Sequence, residues 1–583
     1  MDISRRRAFG LFAGAAGGVG LASCATTDAA LGADAGIASL ASTDVAVSFD
    51  HGVASGDALQ DRVILWSRVT PASNVTAPIP VRLIVATDKS ALEASELSDD
   101  AVTVMDLETS QSRDYTIKVD LGEEAPLTPD TSYYFQFVVQ TPDGLVSSPI
   151  GQTRTLPKTG GDKLVMAVVS CSNYPFGYFN AYRAIAERDD VDAVMHLGDY
   201  IYEYGIDGYG GENAERLGRR VDPVTEIVSL EDYRLRHALY KKDPDLQAAH
   251  QNVPWYCTWD DHESTNNSYR TGAENHNPDN GEGDWTARKQ RAVQAYLEWM
   301  PVRDPKPGRA QEAIYRSAQF GNLASMFMLE SRLLGRSDEI SWTTELSGVE
   351  PANIPAKVAE TSQKVADPSR TMLGKVQEDW LAKKLKASVE ANTTWQVLVN
   401  QVIMASVRLP DFSKTLKPEQ LSALPAGYAQ MLIPFSAMGL PFNLDAWDGF
   451  PAARERLFAA SEAAGARLVT ITGDTHTAWA NEMHDASGKS TGVEFGCTSI
   501  TSPGMGKYLP IEGLGEMFAE ANEDVVWHDP FGNGFTLLTL TKDKAKADFY
   551  KVSTIEAKEY TTELVASFEA TPEDKGVSKL KAV

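Results

Sequence analysis

The stretch Val194-Met195-His196-Leu197-Gly198-Asp199-Tyr200-Ile201-Tyr202-Glu203-Tyr204-Gly205 decides how this chain is read. A short apolar run stops abruptly at Gly198-Asp199, and a phenol follows three residues later at Tyr202. The pattern predicts a buried strand presenting an acid and a phenol at its carboxyl end, the edge where open α/β sheets hold their ligands. One carboxylate can bridge two cations, and a phenolate is a hard oxygen donor suited to a trivalent ion. Asp199 is therefore read as the hinge of a two-metal site. The plainer reading of this stretch alone is a strand-ending Asp that caps a helix.

Four more apolar runs end in the same way. Lys163–Val169 leads into Ser170-Cys171-Ser172-Asn173, and residues 255–259 lead into Asp260-Asp261-His262-Glu263. Trp395–Val399 leads into Asn400-Gln401, and Leu468–Thr472 into Gly473-Asp474-Thr475-His476. Helical periodicity over residues 181–188 separates the first strand from the Gly198-Asp199 strand, which gives a βα texture. Five strands ending in groups able to bind metal exceed what packing requires. Buried carboxylates need partners, and cations are the simplest ones. Asp474 and His476 alternate along the chain, so in an extended segment they share a face and Thr475 turns away.

At 583 residues the chain is too long for one small core. Its 43% hydrophobic and 23% charged content is that of an ordinary soluble protein. A formal net charge of −26 argues against specific nucleic-acid binding, and an anionic substrate would need locally bound cations. Cys24, Cys171, Cys257 and Cys497 form no Cys-x-x-Cys pair and no disulfide framework. Cys257 and Cys497 are read as buried free thiols.

Residues 1–24 read as an export signal. Arg6-Arg7-Ala8-Phe9 resembles a twin-arginine motif, and Leu21-Ala22-Ser23-Cys24 resembles a bacterial lipobox in which Cys24 becomes the lipidated first residue. A plain cleavable signal is the alternative. The expectation is export by the twin-arginine machinery to the periplasm or to a lipid-anchored position outside the cytoplasm. Residues 25–44 read as a flexible tether. Residues 45–156 alternate in short strands, and Leu127-Thr128-Pro129-Asp130-Thr131-Ser132-Tyr133-Tyr134-Phe135 resembles the leucine-to-tyrosine corner of fibronectin type III modules. A small β-sandwich without chemistry is expected there, with His51 a solvated loop residue. A linker at 157–162 precedes the catalytic domain, residues 163–555. The charged tail at 556–583 carries a helical reading.

Gly198-Asp199-x-x-Tyr202 and Gly473-Asp474-x-His476 resemble motifs of the purple-acid-phosphatase branch of metallophosphoesterases. More closely, Ser170-Cys171, the run from Gly198 to Glu203, and Trp259-Asp260-Asp261-His262-Glu263 resemble the PhoD-like alkaline phosphatase family. Residues 230–243, Thr371-Met372-Leu373-Gly374 and Trp447-Asp448-Gly449-Phe450 add to the likeness, which covers about 47–555. The resemblance implies an α/β fold in which a two-sheet αββα sandwich metallophosphoesterase domain follows a fibronectin-III-like β-sandwich. It implies a site holding Fe3+ and Ca2+, and hydrolysis of phosphomonoesters and phosphodiesters. Some relatives act on phospholipids.

Carried over residue by residue, the resemblance makes Cys171, Tyr202 and His476 ligands on the iron side and Asp199 the bridge. Commoner relatives carry Asp-x-His where Cys171 stands, so the iron-thiolate version is favoured; a nearby cation lowers a thiol's pKa. Asp261 stands at the place of the asparagine of a Gly-Asn-His motif. With Asp474 it belongs to the calcium side, where hard oxygen donors suit the ion. His262 is the catalytic histidine beside Asp199, contacting phosphate or protonating the leaving group. Asp260 orients its neighbours. Arg332 and Asn400 are candidate substrate contacts, and Arg336 reads as a surface ion pair. The implied reaction is in-line attack on phosphorus by a hydroxide held between two cations. Substrates are small phosphate esters or phospholipid head groups, and loops at 206–220 and 275–284 rim the site. The competing readings are a phospholipase-D-like phosphodiesterase of the same fold and a surface lipoprotein that binds metal and phosphate without turnover. A zinc hydrolase of other esters lacks its His-Glu-x-x-His or Gly-x-Ser-x-Gly signature.

Overall fold

The structure, a computed structural model, describes residues 40–73, 75–93, 101–417, 419–420 and 432–583. The export signal with Cys24, and the tether as far as residue 39, lie outside the described residues. The end of the stretch read as tether is packed instead: Thr43 donates its N–H to Gln140 O at 2.9 Å, and Leu40 is buried. An open strand edge and an apolar side chain suffice to order it.

The chain has a mixed α/β fold with several sheets. Lys163–Val169, Ala193–His196 and Trp255–Cys257 are parallel neighbours in a ten-stranded sheet. Val169 lies opposite His196, and His196 opposite Cys257, so three chains leave the sheet at one level. Trp395–Val399 and Leu468–Thr472 are parallel neighbours in a seven-stranded sheet, with Val399 opposite Ile471. These strands are buried on both faces, which is why they read as unbroken apolar runs and not as alternations.

Their two faces pack on different partners. Leu164, Met166 and Val168 share a cluster with Met326, Val397, Val399 and Ile471 of the seven-stranded sheet. Val165, Ala167 and Val169 pack with Ile185, Tyr233 and Tyr296, from helices Asn180–Ala186, Leu230–Lys241 and Trp285–Trp299. Leu398 and Leu468 pack with Leu385 and Leu457, from helices Lys375–Glu390 and Pro451–Ala464.

The carboxyl ends of the two sheets are pressed together. Ile500 donates its N–H to Ser170 O at 2.9 Å. A Cβ on Gly473 would lie 2.6 Å from Ser170 Oγ, and one on Gly198 would lie 2.4 Å from Asp260 Cβ. The glycine of each Gly-Asp pair is thus required by a close approach, and at Gly198 also by a φ of 114°.

Two expectations need correction, that of a solvated His51 and that of a helical tail, and the first domain is less self-contained than its sequence suggests. The strands of residues 45–156 divide among three sheets, one of them the short pair Val47–Ser48 and Thr70–Pro71. Ile79–Ala86 and Ser132–Thr141 belong to a five-stranded sheet, whereas Val53–Gly56, Val63–Arg68 and Thr116–Leu121 extend the ten-stranded sheet beyond Trp255–Cys257. The junction is held by Asp57, a buried acid that bonds Arg316 at 2.6 Å and accepts the Arg303 N–H at 2.7 Å. Tyr133 does form the turn its sequence suggests, accepting the Thr128 N–H at 2.9 Å. His51 is buried with its ring 5.2 Å from that of Trp299, because the flanking strands are roofed by the helix carrying that tryptophan. The tail read as helical is strand. Thr562–Ala570 pairs antiparallel with Ala545–Val552, and Lys581–Ala582 pairs beyond it, so the sheet runs past residue 555. The spacing of two between buried Phe568 and Ala570 is the strand period. Among the described residues no helix is long and apolar enough to cross a membrane.

Candidate metal centre

Four side chains singled out by the sequence sit on left-handed backbone: Cys171 (φ 60°), Asp199 (φ 55°), Asp474 (φ 68°) and His476 (φ 60°). Such conformations cost free energy in residues other than glycine and persist where the surroundings hold them. Here a buried strand must turn off the sheet within one or two residues. The turn at Asp199 is held by a neighbouring acid, Glu263. Its carboxylate accepts N–H bonds from Tyr200 at 2.7 Å, Asp260 at 2.9 Å and Asp199 at 3.1 Å. Asp474 and His476 therefore converge through two left-handed residues, and the extended alternation expected for them is absent.

The side chains meet in three overlapping groups, each with ligand atoms within 4.8 Å of one another: Cys171, Asp199 and His476; Asp199, Asp261 and His262; Asp260, Asp261 and Asp474. Asp199 belongs to two groups and Asp261 to two. Tyr202 joins the first group, its hydroxyl 3.0 Å from Asp199 Oδ2 and 3.2 Å from His476 Nε2. Ser502 Oγ donates to that hydroxyl at 2.7 Å. His476 Nδ1 lies 3.1 Å from Pro503 O.

These donors fit cations. Asp199 Oδ1, Asp260 Oδ2 and Asp261 Oδ1 are buried and accept no hydrogen bond, and an unpaired buried carboxylate oxygen is costly. On the side of the third group, among the described residues, Asp260, Asp261, Asp445 and Asp474 form ion pairs with two guanidiniums, Arg332 and Arg336, while the charge of His262 is matched by Glu203. Two negative charges are left over, the charge of one divalent ion. The first group mixes sulfur, nitrogen and oxygen donors; the third is all oxygen, the preference of a hard ion.

Two family models match the chain: "PhoD-like phosphatase" over residues 166–549 and "PhoD-like phosphatase, N-terminal domain" over residues 35–157. The chain belongs to the PhoD-like phosphatase family. It is 32% identical over 514 residues to Alkaline phosphatase D of Bacillus subtilis (strain 168), covering 85% of this chain and 76% of that protein. The solved structure titled "Structure of PhoD" superposes with a TM-score of 0.73 at 29% identity, covering 93% of each chain. As a PhoD-like phosphatase, the protein is a phosphoric ester hydrolase.

Electrostatics in this PhoD-like site follow from burial and close charges. Burial, with the neighbouring acids Asp260, Asp261 and Glu263 adding to it, pushes the Asp199 carboxyl well up. Burial and Asp260 do the same to Asp474. Burial and then Asp199 raise the Cys171 thiol and the Tyr202 phenol. Burial lifts Asp260 to about 6 against the pull of Arg332, and lowers His476 to about 4. Asp261 is held below the usual carboxylate range, because Arg332 and His262 outweigh its burial. An entering cation must displace protons from the raised groups, so loading is pH-dependent.

His262 is the exception among the histidines. Burial works against its charge, yet Glu203, Asp261 and Asp199 together raise it well above the ordinary value. Its Nδ1 lies 2.6 Å from Glu203 Oε2, and its ring stacks on Tyr202 with centroids 4.2 Å apart. Glu203 also accepts from Asn266 N at 2.8 Å and Asn275 Nδ2 at 3.0 Å.

The candidate substrate contacts Asn400 and Arg332 are both buried. Asn400 donates through Nδ2 to Val402 O at 2.7 Å, and its Oδ1 is buried without a hydrogen bond. Arg332 is fully buried among Asp260 (2.5 Å), Asp445 (2.7 Å) and Asp474 (3.4 Å). Arg336, expected on the surface, is equally buried and bonds Asp445 at 2.5 Å. The acid that neutralises it lies more than a hundred residues away and left no local pattern. Asp260 is itself in the third group beside its bond to Arg332. Sequence reading gave no role to Glu203, Glu263, Asp445 or Tyr209. The first two stood inside quoted motifs, and Asp445 lies two residues before Trp447-Asp448-Gly449-Phe450.

Proposed function

We propose that this phosphatase hydrolyses phosphomonoesters and phosphodiesters at a two-cation centre, with Fe3+ held by Cys171, Asp199, Tyr202 and His476 and Ca2+ held by Asp199, Asp261 and Asp474. Asp199 carries the reading: its carboxyl is shared by two donor groups and keeps one buried oxygen without a hydrogen bond. When bound, such cations neutralise phosphoryl oxygens and acidify water beside them. The chain's own residues do the rest. His262, charged and held at Nδ1 by Glu203, keeps Nε2–H free to protonate the departing alkoxide. Arg332 holds the third group's acids in place and is the candidate guanidinium contact for a phosphate oxygen. Asn400 Oδ1, at the same sheet edge, is a further candidate contact. No serine nucleophile is required.

The same reading takes the two large sheets with their outer helices as an αββα sandwich, and the five-stranded sheet with the three extending strands as a fibronectin-III-like module. The N-terminal sequence supports export by the twin-arginine route, with Cys24 as lipid anchor in the periplasm or at the outer face of a membrane. Phospholipid head groups are the alternative substrate class. The test is metal analysis of the full-length protein and its Asp199→Asn variant, with release assays on p-nitrophenyl phosphate and bis-p-nitrophenyl phosphate. Stoichiometric iron and calcium in the parent, and loss of both metal and turnover in the variant, are expected. Undiminished hydrolysis by a metal-free variant rejects the proposal.

A further inference from the structure

His476 reaches the first group through Nε2, and two groups meet its other nitrogen. Pro503 O lies 3.1 Å from Nδ1, and the Tyr209 hydroxyl also lies 3.1 Å away. A carbonyl oxygen only accepts, so Nδ1 carries the ring proton and Nε2 keeps its lone pair. The Tyr209 hydroxyl is in turn 3.2 Å from Pro503 O, to which it donates. The Tyr209 ring runs nearly parallel to the imidazole, with centroids 6.1 Å apart and planes at 24°, and its centroid lies 6.1 Å from that of the Tyr202 ring. A single carbonyl fixes the tautomer but leaves the imidazole free to tilt about that bond. The Tyr209 hydroxyl, a second contact at the same nitrogen that is itself tied to Pro503 O, removes the tilt.

The loop carrying Tyr209 is fastened to the same strand end that bears Cys171. Asn173 Nδ2 donates to Tyr209 O at 3.3 Å. Gly210 follows with φ 76°, and a Cβ there would lie 2.3 Å from Asn173 Nδ2. Lys507 and Glu212 pair at 3.0 Å on the outer side.

We infer that Tyr209 is a positioning residue for His476: its phenol and its Asn173-anchored loop hold Nε2 aimed at Cys171, Asp199 and Tyr202, so that the first cation is kept. This rests on reading the first group as a metal site. Outer partners of a metal-binding histidine commonly matter by 10- to 100-fold in affinity. The experiment compares wild type, Tyr209→Phe, Gly210→Ala and His476→Ala as metal-loaded full-length proteins. Iron content and the rate of iron loss to excess EDTA are followed, with thermal melting as the folding control. Tyr209→Phe is expected to melt near the wild-type temperature and to release iron about 10- to 100-fold faster. Gly210→Ala, which moves the loop without touching the phenol, is expected to do the same. Wild-type release rates in both variants, alongside iron loss in His476→Ala, overturn the role of Tyr209 and leave the metal site standing. Wild-type iron retention in His476→Ala overturns the metal-site reading and this inference with it.

Discussion

Glu203 Oε2 lies 2.6 Å from Nδ1 of His262, and both side chains are buried. A carboxylate in that position orients the imidazole and favours its charged form, with the far N–H left for the proton transfer proposed above. Glu203→Gln keeps the shape and removes the charge. The expected outcome is a fall in kcat of roughly 100-fold or more, with KM and metal content little changed. His262→Ala should lose about as much, and the double variant should lose little beyond either single one, because the two side chains act as a unit. Full additivity in steady-state assays would show that Glu203 acts elsewhere.

What the sequence revealed and what it hid have one physical origin. Strands buried on both faces write continuous apolar runs, so the five strand ends that carry Cys171, Asp199, Asp261, Asn400 and Asp474 were legible. Left-handed turns at Cys171, Asp199, Asp474 and His476 have no pattern outside glycine, so the manner of their convergence was not. Asp445 pairs with Arg332 and Arg336 across more than a hundred residues, and periodicity is blind at that range. The tail at 556–583 misled because its charge lies mostly on either side of Thr562–Ala570, which itself carries only Glu563 and Glu569 and packs through Phe568 and Ala570.

Lys241 makes stability depend on pH away from the metal groups. It is buried, with Nζ 3.3 Å from His250 Nε2, 4.5 Å from the ring centre of Trp66 and 5.3 Å from that of Tyr200. Among the described residues no carboxylate forms an ion pair with it. Burial pushes its pKa down from 10.5 to about 7. Between those values the unfolded chain keeps a proton that the folded chain has released, so folding stability rises with pH from about 7 to 10.5. Below about 7 both states are protonated and the fold bears the full cost of a buried charge. The span corresponds to roughly 5 kcal/mol at most. Lys241→Met should flatten this slope, raising the melting temperature at pH 6 far more than at pH 10. Equal shifts at the two values would show that the ammonium is solvated.

Asp445 offers a test of charge balance at the third group. Its carboxylate bonds both Arg332 and Arg336, all three side chains being buried. Asp445→Asn leaves two guanidiniums with less counter-charge, a change that typically costs about 3 to 5 kcal/mol when one partner of a buried pair is removed. It also reduces the surplus at Asp260, Asp261 and Asp474 from two negative charges to one. Retention of the proposed calcium should therefore fall together with stability, while that of the iron proposed for the first group should change little. Arg336→Met shifts the balance the other way, so the double variant Asp445→Asn with Arg336→Met restores the surplus of two. Calcium titration monitored by melting temperature separates the explanations. Recovery of the calcium response in the double variant means that net charge governs that side of the centre; failure to recover means that Asp445 acts by holding Arg332 in place.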